Sequence, residues 1–190
     1  MNRAVEAVPT AVQLPAPGTW NIDTAHSSVE FVARHLMVAK VRGRFTDFSG
    51  SFEVADPPER SSTRVAISAS SIDTGEAGRD EHLRSPDFLD VSQFPTLEFA
   101  STGITGDGAE WRLAGDLTIR GVTRPVVLDV EFGGLVTDPW GGERAVFSAS
   151  TEIDREGWGL TWNQALETGG VLVGKKVRIE LEVEAVRATQ

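Results

Sequence analysis

The sequence predicts an all-β domain, an antiparallel barrel or sandwich of roughly eight short strands. Three observations predict it. From Trp20 onward, apolar residues recur at every second position in short runs, which is the period of a strand with one buried and one wet face. The runs are divided by Gly, Pro and Asp clusters, such as TGDGAE (105–110) and TDPWGGE (137–143), that read as hairpin turns. Helical periodicity is confined to one segment, so the βαβ alternation of a parallel sheet is missing.

Residues 1–17 are rich in Ala, Val and Pro without a period and read as a flexible lead-in. A single domain is expected over 18–188, where neither repeat nor linker interrupts the chain. VEFVA places Val29, Phe31 and Ala33 on one face, and KVRGRF alternates Val41, Gly43 and Phe45 with basic residues. RVAISAS contributes Val65, Ile67 and Ala69, and TLEFAS contributes Leu97 and Phe99. EWRLAGDLTI offers Trp111, Leu113 and Leu117, with an irregularity expected at Gly115. PVVLDVEF gives Val126, Leu128, Val130 and Phe132, and AVFSASTEI gives Ala145, Phe147, Ala149, Thr151 and Ile153. In the last run, Val177, Ile179, Leu181, Val183 and Ala185 alternate with Lys176, Arg178, Glu180, Glu182 and Glu184.

Composition narrows the chemistry. The 190 residues suffice for one domain with its own core. The chain has no cysteine, which excludes disulfides, thiol catalysis and cysteine-held metal centres. A formal net charge of −10 makes nucleic acid and anionic membrane surfaces unfavourable general partners. No window approaches the roughly 18 apolar residues of a membrane helix, so stable membrane insertion is not expected. Glu6 and Pro9 interrupt what would be the apolar core of a secretory signal, and a cytoplasmic location is expected.

Residues 71–95, SIDTGEAGRDEHLRSPDFLDVSQFP, hold the helical candidate. EAGRDEHLRS makes about two turns with Leu83 as its apolar anchor. Ser85, Pro86 and Asp87 read as a cap, a first-turn proline and a first-turn acid for a second short helix carrying Phe88, Leu89 and Val91. Such a crossover covers one mouth of a barrel. Its charges, Arg79, Asp80, Glu81, His82 and Arg84, are the raw material of acid–base chemistry, but adjacent positions on a helix fan outward, and an ion-pair cluster such as Asp80 with Arg84 is the simpler reading. His26 and His35 are read as projecting to opposite faces of one strand, and no HxH or HExxH spacing exists, so a shared metal is not expected. His35 has the parity of Val29, Phe31 and Ala33 and is expected to offer a polar contact to the interior. RGVTRP (120–125) reads as a basic hairpin corner, and IDREGWGLTWN (153–163) sets Arg155, Trp158 and Trp162 near a strand end, as packing residues or as an aromatic rim.

The ordered set WNIDTAHSSVEFVARHL, VRGRFTDFSGSF, SIDTGEAGRDEHLRSPDFLDVSQFPTLEF, LAGDLTIRGVTRPVVLDVEF and IDREGWGLTW…VLVGKKVRIELEVEA resembles the YceI-like family of polyisoprenoid-binding proteins, from about Trp20 to Ala185. That resemblance implies an extended eight-stranded antiparallel β-barrel, lipocalin-like, whose apolar lumen holds a polyisoprenoid or another long-chain amphiphile without a cofactor. It carries no catalytic residues over to this chain. Many members are periplasmic, from which this chain departs in lacking an evident signal. Members often form homodimers, which alternating edge strands permit.

With that implication, Phe31, Phe45, Ile67, Phe99, Leu117, Leu128, Phe147 and Leu181 are expected along the lumen, Phe88, Trp158 and Trp162 near its mouth, and His35 as the internal polar contact. The expected partner is a long-chain isoprenoid or fatty amphiphile, bound for transport or storage. Two other readings compete. One is an enzyme acting on a polyene, with His35 or the carboxylates of the crossover as acid–base groups. The other is a barrel filled by its own side chains, serving as a stress-related interaction protein.

Overall fold

A computed structural model describes residues 12–167 and 169–188. Eleven strands succeed one another: β1 (Gly18–Ile22), β2 (Ser28–His35), β3 (Ala39–Phe45), β4 (Phe48–Val54), β5 (Ser62–Ser68), β6 (Ile72–Asp73), β7 (Thr96–Asp107), β8 (Glu110–Ile119), β9 (Val122–Thr137), β10 (Glu143–Asp154) and β11 (Val173–Arg187). The one α-helix among them, α1 (Ala77–Arg84), lies between β6 and β7. All pairings are antiparallel, and the order β1-β4-β5-β7-β8-β9-β10-β11 closes on itself through β1 and β11. That ring of eight is the barrel the alternating runs predict.

The count of eleven arises because the first three long strands are each broken once. β1 pairs with β4 and β2 with β3, and β4 pairs with β5 as β3 does with β6. β11 accordingly bonds β2 over its first half and β1 over its last residues, Ala185 to Arg187. At the first break the Ser27 hydroxyl donates to Glu184 O (3.2 Å) and accepts from Glu184 N (3.0 Å), standing in for the missing ladder bonds. His26 sits in this turn, its Nδ1 2.9 Å from Asp23 Oδ2, so it does not share a strand with His35 as the sequence suggests. The irregularity expected at Gly115 lies on the partner strand: β7 shifts register between Ser101 and Gly103, opposite Gly115 and Ala114.

Connections alternate between the two ends. At one end lie α1, the β8–β9 turn and the long loop from β10 to β11, over a cluster of buried residues that includes Ala69, Ile72, Leu89, Leu117, Ile153, Trp158 and Leu160. At the other end Trp20, Phe132, Ala145 and Ala185 are buried together with Leu14, Phe52 and Phe147 against them. Trp20, with 0% exposure, donates from Nε1 to Ala16 O at 3.0 Å. Of the lead-in expected over 1–17, residues 1–11 lie outside the described residues. Residues 14–17 are tied down: Pro15 is buried, Leu14 packs on the core and Pro17 O accepts from Arg187.

The crossover meets its description in the first half and departs from it in the second. Glu76 caps α1, accepting from Gly78 N (3.0 Å) and Arg79 N (2.6 Å). Ser85 is the C-cap of that helix and opens no second one. Residues 86–93 run as successive turns, with Phe94 N and Gln93 N both donating to Asp90 O. Asp90 takes a φ of +49°, which a helix does not continue through.

Candidate functional site

Between the two end clusters the barrel is hollow. The cavity measures about 400 Å³ and its wall is almost wholly apolar. Most of the lining follows one parity on each strand: Val29, Phe31 and Ala33 from β2, Val65 and Ile67 from β5, Leu97 and Phe99 from β7, with Glu30 on β2 and Ser62 on β5 as exceptions. β9 adds Val126, Leu128, Val130 and Phe132, β10 adds Phe147, Ala149, Thr151 and Ile153, and β11 adds Val177, Ile179, Leu181 and Val183. Pleating makes this automatic, because alternate side chains project to opposite faces.

Two glycines help keep the space open. A Cβ on Gly43 would lie 2.3 Å from Cζ of Phe31, its cross-strand partner, and one on Gly115 would lie 2.3 Å from Cζ of Phe99. Both rings are therefore laid against bare backbone of the wall. Phe31 also meets Phe45 at 5.9 Å between ring centroids.

The ends differ in chemistry. Leu14, Pro15, Pro58, Ser61, Ser62 and Thr63 line the N-terminal end, where the Thr63 hydroxyl donates to Ser51 O at 2.9 Å. Phe88, Leu89 and Leu160 close the covered end, and beside them lies Arg155, 3% exposed. Its Nε donates to Gly174 O (2.9 Å), Nη1 to Leu160 O and Trp162 O (3.0 Å for the latter), and Nη2 to Val173 O (3.3 Å). Burial holds the guanidinium below its ordinary pKa, against the pull of Glu156 and Asp154. Its carbon Cζ stands 6.0 Å from the Phe88 ring centroid.

The charges of the crossover are structural ties. Asp80, 7% exposed, accepts from Thr74 N (2.9 Å) and Thr74 Oγ1 (2.5 Å) and does not pair with Arg84. Arg84 instead donates to Ser70 O (2.8 Å) and Ile72 O (2.6 Å), and Arg79 to Thr74 O (3.0 Å). These bonds satisfy main-chain groups where β5 and β6 bend, and they hold the cover to the barrel. His82 lies 2.9 Å from Asp87 and edge-on to Trp162 at 4.5 Å.

Of the residues expected along the lumen, Phe31, Phe45, Ile67, Phe99, Leu117, Leu128, Phe147 and Leu181 all line it, as does Phe88 at the covered end. Trp158 does not stand at a rim. It is 4% exposed and donates from Nε1 to Leu117 O at 2.9 Å inside the end cluster. Trp162 does not line the lumen: it packs against Phe88 of the cover, the rings 5.4 Å apart and tilted by 52°, and both tryptophans border an open hollow on the outer side, with Pro86, Phe94 and Arg120. His35 does not line the cavity either. β2 keeps its regular pairing with β3 through His35, opposite Ala39, but the lining that β2 contributes ends at Ala33, one step short of it.

Arg155, Leu14 and Pro15 line the cavity without being expected there from the sequence. Arg155 was findable: it continues the odd parity of Phe147, Ala149, Thr151 and Ile153 by one further step. Leu14 and Pro15 carry no periodic signal. Among the described residues no three His, Asp or Glu side chains gather as a metal site, and no helix is long and apolar enough to cross a membrane.

Comparisons with known proteins agree on one family. The sequence model of the YceI-like domain matches residues 20–185. The chain is 40% identical to the UPF0312 protein SA2479 of Staphylococcus aureus strain N315 over 168 residues, 87% of this chain and 95% of that protein. The fold is similar to the crystal structure of the Campylobacter jejuni YCEI protein, with a TM-score of 0.71 and 27% identity over 82% of this chain and 90% of that one. It is also similar to a polyisoprenoid binding domain from Saccharophagus degradans, with a TM-score of 0.67 and 13% identity over 89% and 98% of the two chains. A matched domain spanning the whole barrel, a relative matched over nearly its full length and a shared architecture together place this chain in the YceI-like family.

Proposed function

We propose that the protein binds a long-chain amphiphile, isoprenoid or fatty, inside the barrel, and that transport or storage of that molecule is its role. The observation that carries this reading is the apolar cavity of about 400 Å³ inside the barrel. A chain threaded through it gains about 0.8 kcal/mol for each methylene removed from water, so affinity accrues without many polar contacts. Membership of the YceI-like family supports the reading, as does the similarity to a domain described as polyisoprenoid binding. The hollow interior speaks against a barrel filled by its own side chains. His35 and Asp80, on which an enzymatic reading leaned, stand outside the lumen. A cytoplasmic location and a homodimer remain expectations of this reading, and light scattering on the purified chain reads the second.

The test is native mass spectrometry of gently purified protein, then organic extraction and lipid analysis. A stoichiometric long-chain adduct is expected. In parallel, Leu181→Arg and Phe147→Arg, each of which puts a charge into the lumen, should lower binding of a polyprenyl or fatty-acid probe by more than about tenfold, roughly 1.4 kcal/mol. If both variants fold and bind like the wild type, the lumen is not the site.

A further inference from the structure

Arg155 is the one Lys, Arg or His side chain among the residues that line the cavity. It stands at the covered end and is almost completely buried. Its four partners are main-chain carbonyls, of Gly174, Leu160, Trp162 and Val173. A guanidinium has five N–H groups. Four acceptors leave one N–H, on Nη2, uncommitted. They also leave the charge without an acid. The neighbouring acids are engaged elsewhere: Glu156 with Lys175 at 2.8 Å, and Asp154 as acceptor from Glu156 N.

The carbonyls explain how Arg155 pins the β10–β11 loop onto the start of β11. They do not explain why a full positive charge is kept beside an apolar lumen, where a buried charge is costly unless an opposite charge meets it. The same low polarity makes such a cation a strong anchor for an anionic oxygen. The opposite end has no charged counterpart: its polar lining residues are Ser61, Ser62 and Thr63, the last already donating to Ser51 O.

We propose that Arg155 receives the head of the bound molecule, and that the lumen is built for an amphiphile with an anionic oxygen head, a carboxylate or phosphate. The head lies under the cover, beside Phe88, and the tail runs toward Leu14 and Pro15. This rests on the lumen being the binding site.

The test uses the full chain, freed of lipid, and four probes of one chain length: palmitate, cetyl phosphate, methyl palmitate and cetyl alcohol. Each is titrated at neutral pH by displacement of a fluorescent lipid. Palmitate or cetyl phosphate should bind at least about tenfold tighter than the ester and the alcohol, and the tighter of the two names the head. Arg155→Met should erase that preference while leaving affinity for the alcohol within about twofold, and Arg155→Lys should restore part of it. If the variants do not fold, the wild-type ranking decides alone. Equal affinity for charged and neutral heads overturns the assignment of Arg155 and leaves the lumen reading intact. Failure of all four to bind overturns both.

Discussion

The Phe31 ring lies directly over the Cα of Gly43, so closely that a methyl at position 43 would come within 2.3 Å of its Cζ. The two residues are cross-strand partners on β2 and β3. A glycine in a strand costs stability through its freedom in the unfolded chain. Here that cost opens volume, because the ring rests on the wall of the lumen instead of standing across it.

Gly43→Ala should therefore swing the Phe31 ring inward. The expected result is loss of probe affinity by about tenfold or more, with a destabilisation of about 1–3 kcal/mol from overpacking. Probe titration and urea unfolding read the two effects separately. Gly115→Ala should cost more stability, because its methyl also meets Ala100 O at 2.8 Å and backbone cannot step aside. Unchanged affinity in Gly43→Ala would mean that the ring has another resting place.

Acid should weaken the barrel at the turn between β1 and β2. Arg144 Nη1 bonds Asp23 Oδ2 at 2.5 Å, and this bond, helped by His26, holds the Asp23 carboxyl down at about 2 from 3.8. The folded state thus binds the proton less readily than the unfolded chain does. The stabilisation is full above about pH 4 and is lost as pH falls toward 2. Asp73, Asp138 and Glu180 are also held below their ordinary values and act in the same direction, so the informative quantity is the difference from Asp23→Asn. That variant should lose about 2 kcal/mol at neutral pH, and its deficit should shrink toward zero by about pH 2. A deficit that stays constant with pH would show that the Asp23–Arg144 bond is not the source.

The cover should loosen when Asp80 is lost. Asp80→Ala removes the acceptor of both Thr74 N and Thr74 Oγ1, and a cost of about 1–3 kcal/mol is expected for the buried group left unpaired. If α1 gates the lumen, a bound lipid probe should also leave faster, by roughly the factor that 1 kcal/mol or more implies, about fivefold. Stopped-flow dissociation reads this. Unchanged release with lowered stability would assign Asp80 to the fold alone.

Most of the lumen was legible because a strand writes its two faces in alternate letters. Phe31, Ile67, Phe99, Leu128, Phe147 and Leu181 share the parity of their runs and share the cavity. Parity also reached Arg155, where the run of apolar residues had already ended. It misplaced His35 because alternation gives the face of a strand and not where along the strand the cavity ends, and the lining on β2 stops at Ala33. The second helix of the crossover was legible in its capping residues and yet did not form, since α1 had already taken Ser85 as its own end.

The sequence by itself determined the fold class, the number of long strands, the single crossover and the face that each strand buries, because those come from local period and turn chemistry. It did not determine that the interior is hollow. Volume at the barrel axis depends on where rings from different strands come to rest, and Phe31 over Gly43 and Phe99 over Gly115 are settled between strands. Nor did it determine which polar group reaches the lumen. Arg155 and His35 both have inward parity, and only the assembled barrel shows that the lining reaches Arg155 after β10 and stops at Ala33 on β2.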